Sequence, residues 1–402
     1  MKILVIGAGI AGLFFANFMD CGEITILEKN EFSGRKLLAS GNGRCNFTNL
    51  NFSYDFYKSE NEDFFKYALD NFTNYDLIKY LNNIGIATTN LPSGRCYPKT
   101  MSSKTIRDAL YNSSKENAKF IFNQEVEAIN FLKKEVETNE KSYSYDKLVF
   151  ATGGKSLANS GSDGKIFALI KNEIPLTKMT YGITNFESKE KFSKKAKGTR
   201  ITGKASLFVE GKFIKSSIDD IIFQDYGLTG TAILDISNEL SLALRDKKKV
   251  SVEIDFYPEK TYQEFYDFLE KTIKNFPNKS LYDLLIGIIN EKLIGDVIKL
   301  LKLSPKKKLC ELKTYDLEKL VKTLKNLSFE ITKIHDSENA QLTIGGVDTK
   351  FVNPKTMESK IFPDVFFIGE ILDVNGACGG YNIQWASSSA KVLADYLRSL
   401  NV

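Results

Sequence analysis

Gly7-Ala8-Gly9-Ile10-Ala11-Gly12 sets three glycines at G-x-G-x-x-G spacing, and Glu28 lies 21 positions after the first of them. Alone, such a match is weak. Here it follows an apolar run at residues 3–6 and opens a stretch with helical spacing, the context that makes it specific for dinucleotide binding. Gly7 allows the tight turn, Gly9 lets the backbone approach a pyrophosphate, and Gly12 lets the helix pack on the strand. Free N–H groups and the positive helix end favour phosphate at that point. Glu28 ends a second apolar run, where its carboxylate can accept from ribose hydroxyls, and Lys29 stands beside it.

Two later turns extend the set. Ala151-Thr152-Gly153-Gly154 ends an apolar run and resembles the second nucleotide-contacting strand of two-dinucleotide flavoproteins. Gly369-Glu370 follows residues 365–368, where those proteins place an acid near the ribitol. Many of them carry Asp where this chain has Glu370. Gly376-Ala377-Cys378-Gly379-Gly380-Tyr381-Asn382 precedes a helical pattern beginning at Ile383, so its backbone N–H groups can meet the edge of a flavin. Contacts at both ends of the chain suit FAD. A simple NAD dehydrogenase would not need them.

Between these turns lie residues with a functional and a bland reading. Arg35 and Lys36 can contact phosphate or adenosine, or be surface charge. Ser40, Gly41, Arg44 and Asn46 lie where small residues allow close approach to a cofactor, or only bond their own turn. Val126 completes the expected FAD contacts. Cys45 invites a redox role, but no C-x-x-C partner is present, and a small buried residue near the ring is the simpler reading. His335, the single histidine, falls in a polar stretch and is expected in an exposed loop. No catalytic acid or base stands out.

The elements that must position these residues follow from periodicity. A strand at 2–6, a helix at 10–19 and a strand at 24–27 open an α/β doubly wound sheet. Residues 33–50 are expected to be irregular, 63–84 helical, and 147–151 and 365–368 buried strands. Alternation around Glu210-Gly211 marks a hairpin, and 250–256 alternates too. Residues 262–327 read as amphipathic helices, and 383–397 as a final helix. The expected division is a Rossmann-type FAD domain at 1–180 and 338–402, an inserted β-rich domain at 181–257 and a helical subdomain at 258–337.

Composition narrows the function. The chain has 402 residues, 43% apolar and 26% charged, with net charge +5. That small excess argues against nucleic acid as the main partner, since phosphate tracking needs a concentrated basic face. The partner expected is a small-molecule substrate. No apolar run reaches the ~18 residues of a membrane span, and the N-terminus does not read as a signal peptide. Cys21, Cys45, Cys96, Cys310 and Cys378 form an odd set without close pairs, which suits the reducing cytoplasm. One histidine leaves little room for zinc or Ser-His chemistry.

Three segments resemble one family: residues 33–49 (SGRKLLASGNGRCNFTN), Thr343-Ile344-Gly345-Gly346-Val347, and 376–384. The chain is similar to the bacterial HI0933-like flavoproteins, the aminoacetone oxidase or BaiN/RdsA-type group, over nearly its whole length. The resemblance implies FAD, a Rossmann-type domain of the two-dinucleotide superfamily, an inserted β-barrel-like part and a helical part. It implies hydride transfer to or from a small organic substrate, by amine oxidation or by reduction of a steroid-like enone. No second G-x-G-x-x-G is present, so NAD(P)H is expected only as a transient donor. The chain departs from relatives at 223–231, where a Thr-His pair is absent, and at Ser156-Leu157-Ala158, where Ser-Tyr-Pro is usual. Both changes bear on the substrate. The alternative function is an FAD-binding redox sensor or interaction protein without turnover.

Overall fold

The computed structural model describes residues 1–400 and divides into two compact units, Met1–Tyr181 with Glu338–Val402, and Gly182–Ser337. The first unit is built on a five-stranded parallel sheet. Its spatial order is Val365–Phe367, Lys147–Phe150, Lys2–Ile6, Glu23–Leu27, Ala118–Ile121. Ile3, Leu4 and Val5 are all buried. Consecutive strand residues point to opposite faces, so both faces of this sheet are covered. The first helix, Ile10–Phe18, rises from the glycine turn and packs on the final helix, Tyr381–Ser399.

Local structure departs from the sequence pattern in two places here. The stretch 63–84 is two helices, Lys66–Asn71 and Asn74–Asn83. Thr73 restarts the chain with a capping box: its hydroxyl accepts from the Asp76 N–H and the Asp76 carboxylate accepts from the Thr73 N–H. Residues 33–50 are not wholly irregular. They contain a short helix, Arg35–Ala39, and a two-residue strand, Thr48–Asn49.

The second unit holds a closed six-stranded barrel in the order Asn185–Ser188, Gly227–Thr229, Lys212–Phe223, Thr199–Val209, Val250–Asp255, Leu327–His335. The long hairpin turns at Glu210-Gly211, both with positive φ (49° and 75°), as a two-residue turn matched to strand twist requires. Residues 258–337 are therefore not purely helical: after the helices Tyr262–Asn275, Leu281–Ile286, Glu291–Leu301 and Thr314–Lys325, the strand Leu327–His335 returns to close the barrel. Closure removes the open edges that Val250–Asp255 and Asn185–Ser188 would otherwise expose. The β-rich stretch 181–257 likewise contains a helix, Thr231–Arg245. His335 is not in a loop. It ends the last barrel strand, stacks on Tyr226 and has Nδ1 3.0 Å from Glu187 Oε1.

Among the described residues, no helix is long and apolar enough to cross a membrane, and no group of three or more His, Cys, Asp or Glu could hold a metal ion.

Candidate cofactor site

The first glycine turn is shaped by steric necessity. Gly7 has φ +104°, and a Cβ there would lie 2.6 Å from the Ala151 carbonyl oxygen. A Cβ on Gly12 would collide with the Gly7 carbonyl. Gly9 differs. It is the N-cap of the first helix, offers no side-chain cap, and a Cβ on it would meet only Ala151 O, at 3.7 Å. The protein does not fill that space, and the uncapped first-turn N–H groups make it a ready anion site.

Glu28 lies against the same turn and is buried. Its Oε2 accepts from the Ala8 N–H at 2.9 Å, and its Oε1 accepts from Asn30 N at 2.9 Å and Asn30 Nδ2 at 2.7 Å. The neighbouring segments converge through backbone. Ala151 N donates to Ile6 O, and Gly369 sits so close to the first helix that a Cβ would be 2.8 Å from Ala11 Cβ. Gly153 (φ +73°) faces the Ser162 hydroxyl, and Thr152 lies between it and Ala151. Val126 opens the strand Val126–Asn130 in a separate three-stranded sheet. It follows by two residues Gln124, whose N–H donates to the Glu28 carbonyl at 2.9 Å.

Lys36 and Glu370 form a second cluster. Lys36 Nζ donates to both Glu370 oxygens (2.7 and 2.8 Å) and to Ser156 Oγ (2.7 Å). Glu370 Oε1 also accepts from Ser156 Oγ at 3.0 Å and from the Thr343 N–H at 2.9 Å. Thr343 Oγ1 in turn accepts from the N–H groups of Lys155 and Ser156. Burial holds the neighbouring Lys155 ammonium below its ordinary pKa, and its Nζ lies 4.8 Å from the Tyr181 ring centre.

The third cluster joins residues 40–49 to the final helix. Ser40 carbonyl accepts from the N–H groups of Gly43 and Cys45, and Gly41 carbonyl from Arg44 N and Nε. A Cβ on Gly380 would meet the Thr48 backbone at 2.7 Å, and Asn49 Nδ2 donates to Gly379 O at 3.2 Å. Gly380 has φ +99° and caps the helix without a side chain. Ile383, in that turn, packs half-buried on the core. Two expected ligand contacts have their side chains bound inside the protein. Tyr381 is buried with its hydroxyl on Asn51 O, and the Asn382 amide bonds both the N–H and the carbonyl of Gly376.

The basic side chains divide. Lys29 pairs with Asp163 at 2.9 Å. Arg35 is exposed, bonds Asn30 Oδ1 and lies over Phe32, as Arg107 does from another element. Arg44 is exposed over the Tyr97 ring. Cys45 is fully buried, and burial pushes its thiol up to about 12; Cys96 is pushed up to about 11 for the same reason. Neither has the depressed pKa of a reactive thiol, and both are free.

Three polar atoms fit a cofactor, and sequence reasoning missed two of their residues, Ser33 and Ser162. Ser33 Oγ, Ser162 Oγ and Asn46 Oδ1 are buried without hydrogen-bond partners. Buried polar atoms in native proteins are satisfied, and a polar ligand beside the glycine turns would satisfy these. Asn46 was an expected contact. Ser33 and Ser162 each adjoin a glycine or an acid in a loop, a signal too common to select them. Ser156 and Thr343 owe their place to contacts across more than 180 positions of sequence.

The HI0933-like protein Rossmann domain matches residues 1–396. A 3-dehydro-bile acid delta(4,6)-reductase of Clostridium scindens is 28% identical over 393 residues, covering 96% of each chain. Ribosomal RNA dihydrouridine synthases of Haemophilus influenzae and Escherichia coli are 29% and 30% identical, covering 97% and 98% of this chain and 97% of each relative. With the match running almost end to end, the chain belongs to the HI0933-like flavoproteins and is an FAD-dependent oxidoreductase.

Proposed function

We propose that this enzyme reduces a ring carbon–carbon double bond conjugated to a carbonyl, with NAD(P)H as a transient electron donor. One observation carries the reading. The activities named for its full-length relatives, a delta(4,6)-reductase and a dihydrouridine synthase, both add hydrogen across a ring double bond. FAD, when bound, supplies the hydride chemistry for such a reduction. The chain's own residues do the holding. The N–H groups of the first helix turn bind the pyrophosphate, and Gly9 keeps the approach clear. Glu28, fixed against Ala8 and Asn30, accepts from the ribose hydroxyls. Ser33, Ser162 and Asn46 meet the cofactor with their unpaired atoms. The Lys36–Glu370 pair ties the short helix Arg35–Ala39 to the turn after Val365–Phe367. Residues 379–383 bring the N-terminal end of the final helix to the flavin edge. The free thiols suit work in the cytoplasm.

A second reading places the ring within ribosomal RNA. Charge distribution favours it: Gly182–Ser337 carries 28 Lys and Arg against 23 Asp and Glu, while the other unit balances 27 against 27. The whole net charge of +5 thus lies on one unit, and phosphate contact draws on such a bias.

The test follows the flavin under anaerobic conditions. The photoreduced enzyme is mixed with testosterone, with a ribosomal RNA transcript, or with neither. Return of oxidised-flavin absorbance with testosterone supports the first reading, and return with RNA alone supports the second. Reoxidation by neither, together with bleaching of the oxidised enzyme by an amino ketone, would replace reduction with amine oxidation.

A further inference from the structure

Two exposed aromatic rings, Phe52 and Phe56, belong to an aromatic cluster that packs against the Gly376–Tyr381 turn. The two-residue strand Tyr57–Lys58 pairs antiparallel with Asn375–Gly376, and the Ala377 N–H donates to the Phe56 carbonyl at 2.8 Å. Phe56 stacks on Tyr381, with centroids 4.7 Å apart and planes at 24°. Phe52 meets Tyr54 edge to face at 5.3 Å. The cluster is held from below. Buried Tyr57 donates its hydroxyl to the Tyr381 carbonyl, and Tyr381 donates its own to Asn51 O. Yet Phe52 and Phe56 stay 40% and 36% exposed. Large rings so firmly backed and left open to water offer an apolar, flat surface.

The surroundings are acidic. Residues 52–70 contain Asp55, Glu60, Glu62, Asp63 and Asp70 against Lys58 and Lys66. Asp55, Glu60, Glu62, Asp63 and Asp70 are exposed, as is Lys58, and Lys66 is committed to Asp63 at 2.6 Å, so the stretch is acidic in balance. An anion approaching this face meets like charge, whereas an uncharged ring meets none.

We propose that Phe56, backed by Tyr381, and Phe52, backed by Tyr54 and Tyr57, form a stacking shelf for the flat conjugated ring of the substrate, and that the acidic rim selects a ring bearing no negative charge nearby. This rests on the reading that the Gly376–Tyr381 turn adjoins the flavin and that the substrate is a conjugated ring carbonyl. The shelf deepens that reading by setting the substrate's charge and shape. Stacking on an aromatic face strengthens binding by about tenfold for one well-placed ring.

The test is calorimetric binding to the oxidised, FAD-loaded enzyme, so no turnover is needed. The probes are testosterone, which is uncharged, and testosterone 3-(O-carboxymethyl)oxime, which sets a carboxylate beside the conjugated ring. Testosterone should bind at least about tenfold more tightly than the carboxymethyl oxime, and the gap should narrow in Asp55→Asn and with added salt. Phe56→Ala should weaken testosterone binding by about tenfold at unchanged FAD content, with Phe56→Tyr restoring it. FAD content and the melting temperature report whether each variant is folded. Equal affinity for the two probes, or an unchanged testosterone affinity in folded Phe56→Ala, overturns the shelf. So does tighter binding of the ribosomal RNA transcript that is lost in Phe56→Ala, because the face would then be taking a polyanion. Binding that follows Phe56 while testosterone fails to reoxidise the reduced flavin leaves the shelf standing and removes the proposed reaction instead.

Discussion

At the scale of single residues, Gly9 and Gly12 occupy one turn for different reasons, and substitution separates them. A Cβ on Gly12 collides with the Gly7 carbonyl, so Gly12→Ala should cost about 1–3 kcal/mol of stability. A Cβ on Gly9 meets nothing closer than 3.7 Å, so Gly9→Ala should fold normally and lose about tenfold or more in FAD affinity. Denaturant unfolding and FAD titration of both variants check the contrast. The thiols give a pH prediction. Burial raises the Cys45 thiol from its ordinary 9.0 to about 12, so the folded protein keeps the neutral form that the unfolded chain loses. The resulting stability is complete below pH 9 and drains away as pH rises toward 12. Cys45→Ala should therefore flatten the fall in melting temperature between about pH 8 and about pH 10.5, read by thermal scans. Cys45→Ser should keep FAD and its reduction, and loss of turnover at full FAD content would return the thiol to the mechanism. Residue chemistry was readable where spacing is local, as in Gly7–Gly12 and Glu28. It was not readable at Ser156 and Thr343, whose hydrogen bonds span the chain.

At the scale of elements, the final helix shows how a sequence pattern can hide a core. Ser387, Ser388 and Ser389 are fully buried on it, which polarity alone would assign to water. Each is satisfied by backbone: Ser387 Oγ bonds Gln384 O, Ser388 Oγ bonds Phe72 O, and Ser389 Oγ bonds Trp385 O while accepting from the Gly369 N–H. Small hydroxyls allow this helix to pack close beside Gly369, where larger apolar residues would not fit. The strand Leu327–His335 was hidden differently. Its alternation of buried Leu327, Phe329 and Ile331 with exposed Ser328 and Glu330 is present in the sequence, but it follows a helix with only Asn326 between. Two element-scale outcomes follow. Thr73→Ala removes the capping box that restarts the helix Asn74–Asn83 and should cost about 1 kcal/mol, measured as a fall in melting temperature. Gly380→Ala pushes a Cβ into the Thr48 backbone and shifts the N-terminal end of the final helix. If that end stabilises negative charge on the reduced flavin, the two-electron potential should fall by about 10–20 mV. An unchanged or higher potential at equal FAD content assigns the stabilisation elsewhere.

At the scale of the whole molecule, four of the five strands of the parallel sheet were legible as apolar runs beside glycine turns. The fifth, Ala118–Ile121, carries the exposed Lys119 and half-buried Phe120 and Ile121 at the sheet's edge and gave no such run. The barrel was legible in its long hairpin, since Glu210-Gly211 announces the turn, but not in its closure, which joins Asn185–Ser188 to Leu327–His335 across about 140 positions. Overall net charge concealed a division between a balanced unit and a basic one, visible only once the units are known. The account's central claim is that the first unit holds FAD through the N-terminal glycine turn. The most direct measurement is chromatographic identification of the nucleotide released when the purified protein is denatured, alongside FAD titration of the stripped protein and of Gly9→Ala. The account predicts FAD, close to one per chain, with affinity lowered in the variant while its folding is unchanged. Release of FMN, or a stripped wild-type protein with no measurable affinity for FAD, would contradict it.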